Sequence, residues 1–156
     1  MEYIVRSVTV AASPEHVFPL ISQPGYLPKL LPGDAEIDDV QRAGAHDWRY
    51  HWTRRLLNVH FDGIATVMVD TPARSVTIKT TGGLLCAAAW ALEPLDGETH
   101  VTLSADCAIP TPLLHKHTLD SVRDALVRDV EQTLANLRAL VETQRKSQAV
   151  GHTNAF

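Results

Sequence analysis

LDSVRDALVRDVEQTLANLRALVETQ, residues 119–144, decides the fold. Leu119, Val122, Leu126, Val130, Leu134, Leu137 and Val141 recur at steps of three and four, which puts them in one stripe of a helix. Between them Asp120, Arg123, Asp124, Arg128, Asp129, Glu131, Gln132, Asn136 and Arg138 form a solvated face. Asp124 and Arg128 stand at i, i+4 with the acid first, the favourable order. The helix is expected to begin near Thr111 and to end near Gln144. About thirty helical residues span roughly 45 Å. A helix of that length needs something wrapped around its apolar stripe, and the preceding chain must supply it.

Upstream, Tyr3 to Val10 reads as a strand with Ile4, Val8 and Val10 on one side, and Arg6 as a charged exception there. Ser13-Pro14-Glu15-His16 is a helix start, with Ser13 as N-cap and Pro14 at the first helical position. That helix stops at Gln23-Pro24-Gly25, and a second short one fits before Pro32-Gly33. From Ala35 to Ile109 the period changes to two, with turn signals every eight to twelve residues, as in an antiparallel meander. Asp96-Gly97 is the favoured pair for a type I′ hairpin. Centring the turn there sets Trp90 opposite Leu103, Ala88 opposite Ala105 and Cys86 opposite Cys107. The two thiols are then expected to be neighbours and, in a reducing compartment, inert core residues. Centring the earlier hairpin on Leu56-Leu57 places Trp52 near Phe61 and Tyr50 over Gly63.

One strand, two short helices, a six-strand meander and a long terminal helix make an α+β order. In that order the pieces resemble the helix-grip fold of the START-related (SRPBCC) superfamily, which includes birch-pollen-allergen-like proteins and polyketide cyclases. The resemblance rests on the opening Val10-Ala11-Ala12-Ser13-Pro14-Glu15-His16-Val17-Phe18, and on Tyr26-Leu27-Pro28-Lys29-Leu30-Leu31-Pro32-Gly33. Phe61-Asp62-Gly63, Gly97-Glu98-Thr99 and the terminal helix complete it. It implies a curved sheet of about seven strands gripping the helix, with a cavity for a hydrophobic small molecule (lipid-like, isoprenoid or aromatic) between them. Cyclase members resembling this chain carry tryptophans and an arginine on the strand matching Val59–Val69, which here has no arginine. Leu30-Leu31-Pro32-Gly33 is also similar to carbon-monoxide-dehydrogenase subunit-G-like members, which implies an accessory role as a further alternative.

With 156 residues, one domain over residues 1–144 and a flexible tail over 145–156 are expected. A net charge of −4 gives no electrostatic reason to bind nucleic acid. No run of apolar residues is long enough to span a bilayer, and the N-terminus lacks a secretion signal, so a cytoplasmic monomer or weak homodimer is expected. No GxSxG, HExxH, phosphate loop or dinucleotide fingerprint is present, and no cofactor is expected. His115 and His117, two apart on a helix, point apart, and His51 and His60 face solvent, so no metal site is expected.

The residues whose parity turns them inward are the candidate ligand wall. Trp48, Tyr50, Trp52, Phe61, Ile78, Trp90 and Leu103 are the large ones, and Gly63, Ala65 and Ala88 the small ones. Such a mixture fits either interdigitated packing or room for a guest. From the helix, Leu119, Val122 and Leu126 are expected to close the wall, while Leu134, Leu137 and Val141 pack on the sheet. Tyr50 and Arg54 are the candidates for orienting a ligand or, if the chain is an enzyme, for catalysis. Arg54 and Arg74 both sit at strand ends where their charge can reach water.

Overall fold

The computed structural model describes the backbone of residues 2–153 and the side chains of residues 2–147. Strand β1 (Glu2–Val10) leads into α1 (Pro14–Ser22), a single 3-10 turn (Pro24–Tyr26) and α2 (Leu27–Leu30). Strands β2 (Glu36–Arg42), β3 (Trp48–Leu56), β4 (Val59–Asp70), β5 (Ser75–Gly82), β6 (Cys86–Leu95) and β7 (Glu98–Cys107) follow. Helices α3 (Thr111–Leu114) and α4 (Leu119–Thr153) complete the chain. The strands form one antiparallel sheet ordered β1-β7-β6-β5-β4-β3-β2, so β1 closes onto β7 and the meander runs outward to a mostly exposed β2. This is the α+β helix-grip architecture.

The helix packs mainly on β1, α1 lies across β5, β6 and β7, and α2 leans on α4. Two part-buried hydrogen bonds fix these layers. Thr99 Oγ1, fully buried, donates to Ala12 O at 2.7 Å and ties β7 to the entry of α1. Asn136 Nδ2 donates to Leu30 O at 3.0 Å and binds α4 to a carbonyl at the end of α2 that no further helical turn can satisfy. Ser13 occupies the N-cap position of α1, but its hydroxyl bonds His16 Nδ1 at 2.7 Å rather than the helix backbone.

The β6–β7 register is the one that Asp96-Gly97 dictates, with φ of 50° and 82° at the two turn residues. The β3–β4 register differs from the expectation by one turn position. Leu57 and Asn58, with φ of 50° and 65°, are the central residues, so Trp52 stands opposite Gly63 and Tyr50 opposite Ala65. Asparagine tolerates the left-handed region better than a second leucine, and the shift lets Leu56 stay in the core. Each pair slides by two residues, so the inward faces are unchanged.

Two further corrections concern the terminal segment and the cysteines. The helix does not run unbroken from Thr111. Helix α3 stops at Leu114, and Thr118 Oγ1 accepts the Ser121 amide at 3.1 Å to cap a new helix at Leu119. His115 and His117 therefore lie in a connection, where His117 Nε2 meets Leu57 O at 3.1 Å. The helix continues beyond Gln144 to Thr153, and the tail expected over 145–156 lies mostly outside the residues described with side chains.

Cys86 and Cys107 are paired as expected, but as a disulfide rather than as thiols. The Ala108 amide donates to Leu85 O at 2.9 Å, so 85/108 is a hydrogen-bonded pair and 86/107 is the next, non-bonded one. Side chains come closest at such pairs, which lets the sulfurs meet.

Leu134 is 4% exposed on the stripe that faces the sheet. Leu134→Ala should lower the unfolding free energy by about 2–5 kcal/mol, read from urea midpoints at unchanged m-value. Thiol titration of the unreduced, denatured chain should find no free cysteine; recovery of both would refute the disulfide.

Candidate functional site

A cavity of about 200 Å³ lies between the inner face of β3, β5, β6 and β7, the α1–α2 segment and the middle of α4. It exists because a strongly curved sheet cannot press its whole concave face onto a straight helix that rests on β1. Small side chains widen the gap: Ala88 on β6 pairs with Ala105 on β7, so two neighbouring strands lack bulk beside Ile78 on β5.

The structure gathers some of the expected wall and leaves the rest elsewhere. Tyr50, Trp52, Arg54, Ile78, Ala88, Trp90 and Leu103 line the cavity. Trp48 lies beyond it, with the Arg42 guanidinium stacked 4.9 Å from its ring centre. Phe61 packs over Gly83, and Ala65 is fully buried in the sheet core. Gly63 is a seat rather than a gap. A Cβ there would come within 1.9 Å of Thr81 O and 3.0 Å of Trp52 Cζ2, so the glycine lets β5 and the Trp52 indole approach the backbone. The expectation that Tyr50 covers this glycine is corrected to Trp52.

On the helix, the expected wall is replaced by another. Leu119 is 49% exposed, and Val122 and Leu126 are sealed in the core away from the cavity. Asp129, Val130 and Thr133 face it instead. The first turns of α4 lie down on β1, and the space opens only further along. Val122→Trp would therefore overpack the core rather than block a pocket. Ile21, Leu27, Leu30 and Leu31 form a cover that is absent from the expected wall. Their apolar spacing on two short helices was the available signal.

The polar groups are few and specific. Arg54 Nη2 donates to Asp129 Oδ2 at 2.5 Å, joining β3 to α4, with side-chain exposures of 16% and 24%. Arg54 thus turns inward to a partner, not outward to water. Arg74 does reach the surface, where it pairs with Glu15 at 2.7 Å, and Arg6 meets Glu131 at 3.3 Å. Burial pushes the Asp129 carboxyl up, and the Arg54 charge pulls it back in part. The sequence periodicity placed Asp129 on the solvated face because it flanks Val130; the curl of the sheet covers that edge of the stripe.

Two donors on the cavity wall, Trp52 Nε1 and Arg54 Nε, are buried and have no partner among the described residues. Thr80 Oγ1 is committed, donating to Leu84 O at 2.7 Å and accepting the Cys86 amide at 2.8 Å. The Tyr50 phenol is pushed up to about 12 by burial. His51 lies on the opposite face of β3, bonded through Nδ1 to Asp38 at 2.8 Å, which with Asp62 raises its pKa. Among the described residues no group of three or more His, Cys, Asp or Glu could hold a metal ion, and no helix is long and apolar enough to cross a membrane.

A curved sheet gripping a long helix over an apolar cavity defines the class: a helix-grip protein with an internal pocket. The sequence matches the family described as "Polyketide cyclase / dehydrase and lipid transport" over residues 1–142, and the chain belongs to that family. Among solved structures it is similar to TTHA0849 of Thermus thermophilus, with 16% identity, 92% of this chain and 99% of that one covered, and a TM-score of 0.79. The Zhui aromatase/cyclase from Streptomyces sp. R1128 aligns with 17% identity over 90% and 93% of the two chains, at a TM-score of 0.72. A START superfamily protein from Mycobacterium smegmatis aligns with 17% identity over 83% and 97%, at 0.58. At these identities the likeness is one of fold. No curated protein matches the sequence.

The raised Tyr50 value has a spectroscopic consequence. The chain has three tyrosines, and alkaline absorbance titration should show a phenolate step near 12 that Tyr50→Phe removes. Because the folded value lies above the unfolded one, the contribution from the neutral phenol is complete below pH 10 and is lost as pH rises from 10 towards 12.

Proposed function

We propose that the chain, as a single domain over residues 1–144, is a binding protein for an apolar small molecule held in the cavity between sheet and α4. The observation that carries this reading is an apolar space walled by Tyr50, Trp52, Ile78, Ala88 and Trp90, with one ion pair, Arg54–Asp129, inside it. Burying about 200 Å² of a two-ring aromatic surface contributes on the order of 5 kcal/mol. The freedom a ligand loses on binding offsets much of that gain, so tight binding has to draw on the polar groups as well. Family membership supports a hydrophobic ligand without choosing among lipid-like, isoprenoid and aromatic ones.

The second reading is an aromatase/cyclase. The fold likeness to the Zhui protein and the presence of Tyr50 and Arg54 on the cavity wall support it. Against it, β4 turns Phe61, Ala65 and Val67 inward and no arginine; among the described residues the one arginine on the cavity wall is Arg54 of β3, and it is already bonded to Asp129. An accessory role on an enzyme complex has no observation in its favour. The cytoplasmic setting expected from the sequence sits uneasily with a disulfide, since cytosolic disulfides are rare.

The protein purified without detergent should carry, or take up, a hydrophobic molecule, seen by native mass spectrometry and by an apolar fluorescent dye. Ala88→Trp fills the space between Ile78 and Ala105 and should weaken dye binding at least tenfold while the chain stays folded. Absence of any bound apolar compound and of dye uptake at millimolar concentration would reject the binding reading. Turnover of a poly-β-ketone that is lost in Arg54→Ala would move the assignment to the enzyme.

A further inference from the structure

The Cys86–Cys107 disulfide is a piece of the cavity wall as well as a link between strands. Cys86 lines the cavity two residues before Ala88 on β6, and Cys107 stands opposite it, two residues after Ala105 on β7. The two halves are held unequally. Cys107 is 3% exposed and lies between two ladders, paired with Cys86 on one side and with Glu2 of β1 on the other. Cys86 is half-buried and sits one residue past the end of the β5–β6 ladder, whose last pair is Lys79 with Ala87. Beyond the ladder the Thr80 hydroxyl takes over, accepting the Cys86 amide at 2.8 Å and donating to Leu84 O at 2.7 Å.

Sulfurs in a disulfide are about 2 Å apart, whereas non-bonded heavy atoms need roughly 3.5–4 Å. Reduction therefore drives the two side chains apart, and the less restrained one gives way. Cys107 is enclosed by the core, so the sulfur that moves is that of Cys86, and the space beside it is the cavity. The same inequality decides where a reductant acts, since exchange needs access to the sulfur under attack.

We infer that Cys86–Cys107 is a reversible redox site through which a dithiol reductant lowers the capacity of the cavity. This rests on the binding reading above. One thiolate of the dithiol attacks Cys86 Sγ, forming a mixed disulfide and releasing Cys107 as a thiolate that takes up a proton. The second thiolate of the dithiol then attacks the reductant's own sulfur in that mixed disulfide and releases Cys86, which takes up another proton. Two electrons have passed from the dithiol, which leaves as a cyclic disulfide, and the chain holds two thiols. Disulfides that form in reducing compartments are mostly redox-sensing or catalytic, and a pair set in a binding wall suits the first role. By linkage, a guest that prefers the oxidised cavity makes the disulfide harder to reduce by the same factor.

The test compares the full chain, oxidised and after equilibration with dithiothreitol, for binding of the neutral dye N-phenyl-1-naphthylamine. Reduction should weaken the dye at least fivefold while the far-ultraviolet circular dichroism stays the same. Saturating dye should in turn shift the dithiothreitol reduction midpoint by the same factor, about 20 mV for a fivefold ratio. In the reduced chain a pulse of iodoacetamide should label Cys86 before Cys107, read by peptide mass spectrometry, and the dye should slow the Cys86 reaction. In Cys107→Ala, which has no disulfide, dithiothreitol should leave dye binding unchanged; a loss as large as in the unmutated chain overturns the proposal. Labelling of Cys107 first overturns it as well. Equal or tighter dye binding after reduction overturns it while leaving the binding reading in place, and so does loss of the fold, which makes the pair a staple. If the dye binds neither form, the binding reading fails and takes the redox site's role with it. The oxidised-to-reduced comparison needs no variant, so a misfolded Cys107→Ala chain does not shelter the idea.

Discussion

A curved sheet and a straight helix cannot touch along their whole length. In this chain the conflict is resolved by seating α4 on β1, the edge strand that pairs with β7, and letting the middle strands diverge from it. Everything else follows from that placement. The first turns of the helix are consumed in packing, its middle faces an opening, and α1 and α2 are drawn over the gap to cover what would otherwise be exposed apolar surface. Thr99 and Asn136 hold the cover in place by satisfying backbone carbonyls at the ends of those short helices.

The Arg54–Asp129 pair is a costly element in this arrangement. Taking two charges from water is unfavourable, and an ion pair in a mostly apolar setting offers less stability than packed hydrocarbon of the same volume would. Asp129 carries the mark of that cost in a carboxyl pushed up by burial despite its partner. The pair places its two charged groups on the cavity wall. It makes the cavity polar at one point without making it charged.

The seven strands, their faces and the β6–β7 register could all be read from period-two alternation and from Asp96-Gly97, because a hairpin turn and a buried face are local constraints that agree. The β3–β4 register slipped by one position because Leu56-Leu57 and Leu57-Asn58 are both possible turn centres. The left-handed conformation that Asn58 tolerates and the burial of Leu56 against the rest of the core separate them. The break before Leu119 was hidden for a similar reason: Leu113 continues the apolar spacing, whereas Thr118 acts as a cap through a single hydroxyl contact.

By itself the sequence determined the fold and the parity of each strand, since side-chain period and turn chemistry are properties of neighbouring residues. From that parity came Tyr50, Trp52, Ile78, Ala88, Trp90 and Leu103 on the wall. Tertiary structure alone decided where along α4 the cavity opens, and so exchanged Leu119, Val122 and Leu126 for Asp129, Val130 and Thr133. It also joined Arg54 to a carboxylate 75 residues away and turned two facing cysteines into a disulfide. The physical reason is the same in each case. Helical periodicity tells which residues share a face, but what that face meets depends on sheet curvature and on the tilt of the helix across it, and neither is encoded in any short stretch.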